Sequence, residues 1–526
     1  MGFILVPLRS MKQELVLKPV GSPPPKSLGL WIKQNRQELI ILVVIVMVAA
    51  ILRLTHLGYQ SEWNDEALSA TIAFGTARQI LTNEFHSLHP PGYYLLLHFW
   101  HNLFGDSDFA LRLPSALMGI GAVISMYLLG KSLFDWRTGL WAAALTALMP
   151  FHLYYSQEMR MYSQLFLLSS LAILCQVQLW RQERRIWWIL YLLVALLGLY
   201  THYLFILIVG TLGLFFMGRR WLAASGPAWM DFFLIHLLMG VLYIPIILWL
   251  ADQLNQSSDY WIREVSLGLF LSMPLAFTVG QFLDILWLQI GYALILMLVI
   301  ITLLQAGRAL VKRRPRAGVA SLVLTLMIYW LPVSIMFAVS IFWTPLTLPR
   351  LMTIAVPGLY LLIAWGASVP RERLVNAVLV ILLMGVGLLA DYNWLFNPAY
   401  SKPPAREAAL FLQAHASPDE TIVYTSDSGY RLFLRYSPQL THRLFLEDND
   451  NPQVRPDVVR LMGGDIITFA DPLSETFWLV VHQDFEGEKQ ESIFHRFDEH
   501  YTRLASYELG GIRLYRYRAS VDMTMQ

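Results

Sequence analysis

Charge is scarce in this sequence: Asp, Glu, Lys and Arg make up 14% of its 526 residues, where a soluble domain carries roughly 25%. The net charge of +2 implies nothing about nucleic acid, and no long basic block interleaves with aromatics, so no nucleic-acid partner is expected. Cysteine is nearly absent. The one residue, Cys175, sits inside an apolar run, forms no internal disulfide and reads as a small buried hydrophobe. No glycine-rich nucleotide-binding loop is apparent. What the chain has instead is apolar bulk, 56% hydrophobic and 13% aromatic with a mean hydropathy of +0.49. Repeated apolar runs of about 15–23 residues make it a polytopic α-helical membrane protein.

Residues 1–38 are too long and too mixed for a cleavable signal, and read as a disordered cytoplasmic tail. Apolar runs follow at about 39–54, 110–130, 138–154, 161–180, 186–201, 203–218, 232–250, 285–306, 319–342, 351–368 and 374–390. Lys33 and Arg36, Lys131 and Arg137, "RQERR" (181–185), "GRR" (218–220), "GRALVKRRPRAG" (307–318) and "PRER" (370–373) all fall on one side if the chain crosses about eleven times. Two further apolar stretches, 89–105 and 266–283, must then not cross, and read as half-buried extracytoplasmic interfacial helices. Residues 39–390 thus form a transmembrane domain with a long first outer loop, 55–109. Residues 391–526 hold more than half of the 37 acids and form an extracytoplasmic soluble α/β domain. Its pieces include a helix in "PAREAALFLQAHA" and strands in "TIVYTS", "HRLFL", "TFWLVVH" and "IRLYRYRA".

With this topology the polar residues of the apolar region gather at one face. The first outer loop holds Asp65, Glu66, Glu84, His86, His89, Asp106 and Asp108. A short loop carries Glu158, Arg160 and Tyr162, a tight turn carries His202, and Arg350 stands beside a proline. Each has a bland reading. Asn64 is a good N-cap, and acids in a first helical turn gain about 0.3–1 kcal/mol from the helix dipole. Glu158 and Arg160 fit a plain ion pair, His202 an interfacial aromatic belt, and Arg350 a snorkelling side chain. His86 and His89 are spaced to share a helix face, a weak pointer to a metal. The combination points further. Carboxylates and arginines from separate loops open on one side, as a lipid with a phosphate head requires: Arg160 and Arg350 bind the phosphate, and Asp65 accepts a proton from an attacking hydroxyl.

"NDEALSA", "HPPGYYLLLHFWHNLFG", "ALRLPSALMGIGAVISMYLLGKSLF", "SQEMRMYSQLFLLSSLA", "YTHYLF" and "PRLMTIAVPGLYLLIAWG" follow one another over most of residues 50–370. In that order they resemble the GT-C glycosyltransferases that use polyprenyl-phosphate sugars. They are most similar to the dolichyl-phosphate-mannose–protein mannosyltransferase type (glycosyltransferase family 39), and more distantly to lipid A aminoarabinose transferases. The resemblance implies an inverting transfer at the outer face of the plasma (inner) membrane, from a sugar on undecaprenyl or dolichyl phosphate to a protein, lipid or glycan acceptor. It implies Asp65 as catalytic base with Glu66 beside it and Glu158 as a second acid, at a position where many relatives have aspartate. His89, Arg160, Tyr162, His202 and Arg350 fall in donor-phosphate or substrate-binding positions. Here Leu351 follows Arg350 where relatives usually carry tyrosine, and His89 stands where the aminoarabinose transferases carry lysine. Some relatives use a divalent metal and others do not, so a metal stays open. Three alternatives also stay open: a polyprenyl-lipid flippase or transporter, an O-antigen-ligase-like enzyme using a diphosphate-linked glycan, and a non-catalytic sensor.

Overall fold

The computed structural model describes residues 34–85, 87–222, 226–256, 266–280, 282–311, 317–343, 347–369, 373–446, 456–482 and 488–519. The expected tail up to residue 33, and His86 of the possible histidine pair, lie outside the described residues. By internal packing the chain divides into two compact units. The first, the membrane unit, takes in residues up to 55, 88–93 and 112–399; the second, the α/β unit, comprises 56–87, 94–111 and 400 onward. Most of the first loop therefore groups with the C-terminal α/β domain.

Nine of the described helices are long and apolar enough to cross a membrane: Arg36–Leu54, Asp108–Leu133, Tyr162–Gln182, Tyr203–Leu222, Trp229–Ala251, Ile285–Ala309, Gly318–Phe342, Pro349–Ser368 and Arg373–Phe396. The other two expected spans are met by shorter pieces. Residues 138–154 are divided between helices Trp136–Leu148 and Pro150–Ser156, because Pro150 cannot continue the first and pre-sets the start of the second. Helix Ile186–Thr201 has 16 residues, about 24 Å of rise against a hydrocarbon core of roughly 30 Å. The two stretches expected not to cross form helices of 13 and 12 residues, Gly92–Phe104 and Leu267–Thr278, too short to span. Within the unit, Tyr162–Gln182 and Pro349–Ser368 are the enclosed helices, 83% and 89% buried over their apolar windows. Arg36–Leu54 and Trp229–Ala251 are 17% buried, so their apolar surface is left for lipid.

The α/β unit is built on a six-stranded sheet: β1 (Thr421–Tyr424), β2 (Thr441–Phe445), β3 (Asp465–Ile467), β4 (Thr476–Val481), β5 (Tyr501–Leu509) and β6 (Ile512–Ala519), in the order β3-β2-β1-β4-β6-β5. β3, β2, β1 and β4 run parallel, with Ile422 opposite His442 and Trp478. β6 returns antiparallel on β4, and β5 closes the edge. The four expected strands are β1, β2, β4 and β6, and the expected amphipathic helix is Ala405–His415. One layer of the core gathers Leu412, Tyr424, Leu432, Phe433, Leu444, Trp478 and Leu514. Ala67 of helix Asn64–Phe74 is buried among them, 338 residues upstream of Ala405. The acid pair thus rides on a helix that the C-terminal domain has absorbed into its own core.

Candidate functional site

Helix Asn64–Phe74 opens on Trp63, whose extended backbone and accepting carbonyl make it the N-cap residue; Asn64 is the first helical position. The expected Asn64 cap is therefore displaced by one residue. The Asn64 side chain instead accepts a hydrogen bond from Arg431 Nη2 at 3.0 Å. Asp65 and Glu66 both stand in the first turn. Successive helical residues diverge by about 100°, and the pair is split accordingly. Glu66 is fully buried and receives Lys402 Nζ at 2.8 Å, whereas Asp65 stays half-exposed.

Just upstream, buried Glu62 accepts Arg435 Nε at 2.8 Å, and its backbone N–H donates to the Tyr436 hydroxyl at 2.8 Å. That hydroxyl donates to Asp108 at 2.9 Å. Burial pushes the Glu62 carboxyl up to about 7; Arg435 opposes the shift, while Asp108 and Glu66 add to it.

In the membrane unit, the remaining candidates come from four segments. Gly92 brings the first of them in: a Cβ there would lie 2.6 Å from the Tyr200 carbonyl oxygen, so only glycine allows the approach. The rings of His89 and His202 then sit 4.9 Å apart. Glu158 and Arg160, both buried, occupy the bend between helices Pro150–Ser156 and Tyr162–Gln182. Ser115 Oγ donates to the Arg160 carbonyl at 3.0 Å and lies 3.1 Å from the Tyr93 hydroxyl, fixing that bend. The Arg160 guanidinium is 5.9 Å from the Tyr162 ring centre, within cation–π range. Arg350 is the second residue of the 3-10 turn Pro349–Ala355.

His202 breaks the chain between two helices in an extended conformation. The Leu204 N–H donates to its Nδ1 at 3.1 Å, so the ring proton belongs on Nε2. Nε2 is buried and has no hydrogen-bond partner among the described residues. Burial, then the charge of Arg160, pushes the imidazole down to about 3, and it remains neutral at physiological pH. His89 is also pushed well down, by burial first and then by His202, Arg160 and Arg350. His202, Arg160 and Arg350 therefore each lie within electrostatic reach of His89, and Arg160 also reaches His202. These side chains bring two arginines around His89 and a neutral N–H donor on His202, a chemistry that suits an anion.

A third group escaped the sequence reading. Arg53, fully buried near the end of helix Arg36–Leu54, donates from Nη1 to the carbonyls of Ala49 (3.2 Å) and Ala147 (3.1 Å). Its Nη2 donates to the Thr146 carbonyl and to His152 Nδ1, both at 2.8 Å. Gly119 makes room, since a Cβ there would come within 2.9 Å of Arg53 Nε. Gln157, next to Glu158, caps the same helix end through the carbonyls of Leu52, Arg53 and Thr55, at 3.1, 3.3 and 2.8 Å. Trp394 Nε1 donates to Gln157 Oε1 at 2.7 Å. Asp391 lies within electrostatic reach of Arg53, and its two carboxylate oxygens are buried with no hydrogen-bond partner among the described residues. The signal was a lone cation within one apolar run and a lone acid just after another.

Among the described residues no group of three His, Cys, Asp or Glu side chains is placed to hold a metal ion. In overall structure the chain is similar to ArnT from Cupriavidus metallidurans in the apo state, with a TM-score of 0.58 at 12% identity over 92% of this chain and 98% of that one. The same protein bound to undecaprenyl phosphate gives 0.58 at 11% identity, over 93% and 98%. The Archaeoglobus fulgidus oligosaccharyltransferase in the apo form gives 0.53 at 13% identity, over 94% and 75%. The fold is GT-C. Within this GT-C chain, residues 88–249 match the family model described as dolichyl-phosphate-mannose-protein mannosyltransferase. That segment contains His89, Glu158, Arg160, Tyr162 and His202; Asp65, Glu66 and Arg350 lie outside it. No curated protein matches the GT-C chain by sequence.

Proposed function

We propose that the protein is an integral-membrane inverting glycosyltransferase. It moves a sugar from an undecaprenyl- or dolichyl-type phosphate to an acceptor hydroxyl at the extracytoplasmic face of the plasma membrane, with its N-terminus cytoplasmic. Asp65 takes the acceptor proton, the acceptor oxygen attacks the anomeric carbon from the face opposite the phosphate, and the sugar–phosphate bond breaks with its electron pair on the polyprenyl phosphate. The leaving group is already good, so the protein has only to align the reactants, remove one proton and stabilise the departing dianion.

His89, Arg160, His202 and Arg350 receive that charge, the arginines through paired N–H donors and His202 through neutral Nε2–H. Glu158 and Tyr162 orient the transferred sugar or the acceptor. The observation that carries the reading is the His202 geometry: a buried donor, without a hydrogen-bond partner among the described residues, within electrostatic reach of Arg160 and inside the segment that matches the family model. The likeness in fold to ArnT, solved with undecaprenyl phosphate, supports a lipid-phosphate ligand. The acceptor is a protein, lipid or glycan.

Asp65→Asn is the direct test, in membranes supplied with a radiolabelled undecaprenyl-phosphate sugar. Loss of a general base predicts a fall of about 10²–10⁴-fold in transfer at normal expression. Unchanged transfer would refute the role of Asp65, and lipid flipping without transfer in the wild type would replace the enzyme reading with a transporter.

A further inference from the structure

We propose that Lys402 of the C-terminal α/β domain is a positioning residue for Asp65. By holding Glu66 in a buried ion pair, Lys402 leaves Asp65 as the one acting base of the acid pair. The inference rests on Asp65 being the base.

The start of the acid-bearing helix is tied almost residue by residue to segment 400–436. Arg406 Nη1 donates to the Gly58 carbonyl at 3.2 Å, and the Arg406 N–H donates to Ser61 Oγ at 3.1 Å. Ser61 Oγ in turn donates to Glu407 at 2.9 Å. Glu62 meets Arg435 and Tyr436, and Asn64 meets Arg431. Lys402 is held at both ends. Its backbone N–H donates to Gln60 Oε1 at 3.1 Å, and its ammonium, 6.0 Å from the Trp63 ring centre, donates to Glu66 Oε2 at 2.8 Å. The two paired side chains are 7% and 0% exposed, so water cannot replace either partner.

Among the described residues the charged groups around this helix start include Lys402, Arg431 with Asp427, Arg435 with Asp106, Glu62, Asp108 and Arg406 with Glu407. Of these, Lys402 pairs directly with the residue beside Asp65. Without that cation, Glu66 either keeps its charge next to Asp65 with less compensation or takes up a proton and lets the helix start shift. In the first case ionisation of Asp65 becomes harder, and in the second its aim is lost.

The test uses full-length protein in membranes, with the labelled undecaprenyl-phosphate sugar and a pH series. Lys402→Met is expected to lower kcat by about 10–100-fold with the donor KM within about twofold. The acid limb of its kcat/KM profile should move up by roughly one pH unit. Lys402→Arg should recover most of kcat. Glu66→Gln combined with Lys402→Met should return the limb to its wild-type place, and it provides a folded readout should the single variant fail to accumulate. A normal kcat and an unmoved limb in Lys402→Met overturn the proposal, as does a double variant whose limb stays displaced. Asp65→Asn in the same assay separates the two readings. If it is inactive while Lys402→Met is normal, the positioning role alone falls; if it is active, the base assignment falls first.

Discussion

In the α/β unit, buried acids meet largely covered cations: Glu66 with Lys402 and Glu62 with Arg435, each at 2.8 Å. In the membrane unit, buried Arg53 is held by three backbone carbonyls and an imidazole, and His202 keeps a donor with no hydrogen-bond partner among the described residues. The contrast separates two uses of polar groups. Ion pairs matched in both members fix the place of a segment, here the one bearing Asp65. A donor left over within reach of an arginine is suited to a ligand that brings the missing acceptor. Arg53 belongs to neither class, because it takes up carbonyls that a helix end would otherwise leave unpaired.

The largest effect should come from that third case. Thr146 and Ala147 lie in the last turn of helix Trp136–Leu148, where backbone carbonyls have no partner within the helix, and Pro150 prevents its continuation. Arg53→Met removes their donor and the partner of His152 Nδ1 together, and takes away the cation within electrostatic reach of Asp391. A loss of about 3–5 kcal/mol follows, as when one member of a buried charged contact is deleted. Thermal unfolding of the purified protein in detergent measures it. An Arg53→Met variant as stable as wild type would mean that these carbonyls are satisfied some other way, and the contrast between the units would lose its third term.

Next in size is the ligand donor. His202→Ala removes one N–H from the developing phosphate charge, which at comparable sites costs about 10²–10³ in kcat. Because burial holds the ring near 3, no His202 limb should appear between about pH 5 and 8 in the wild-type activity profile. Transfer assays across that range read both outcomes. A wild-type limb that vanishes in His202→Ala would show that the imidazole titrates, contrary to a neutral donor.

Much of the site was legible because ionisable residues in an apolar chain stand out. Glu158, Arg160, His202 and Arg350 lie at the ends of apolar runs, and the structure gathers three of them, with His89, into one electrostatic neighbourhood. The nine long spans were equally legible from hydropathy. What stayed hidden depends on contacts between distant segments. Nothing near Glu66 in sequence indicates Lys402, 336 residues away. Nor does an amphipathic pattern mark β5, an edge strand with mostly exposed side chains and hence no alternation to detect. Arg53 was absorbed into its run because one charge does little to the average of 19 residues. Asp391 fell one residue past the run expected to end at 390.

The smallest effect tests the paired half of the comparison. Folding raises the Glu62 carboxyl from its ordinary 4.5 to about 7, so between those values the folded protein binds more protons than the unfolded chain. Stability should therefore fall as pH rises through that window, and level off above about 7. The shift bounds the change at about 1.4 kcal/mol per pK unit, so on the order of 2 kcal/mol is expected between pH 5.5 and 8. Glu62→Gln removes the titrating group while an amide oxygen can still accept from Arg435, so its midpoint should vary less over the same range. Thermal unfolding of both proteins at the two pH values decides the matter. If the wild type is no less stable at pH 8 than at pH 5.5, or if the two proteins show the same dependence, then Arg435 outweighs burial and Glu62 is an ordinary ionised partner.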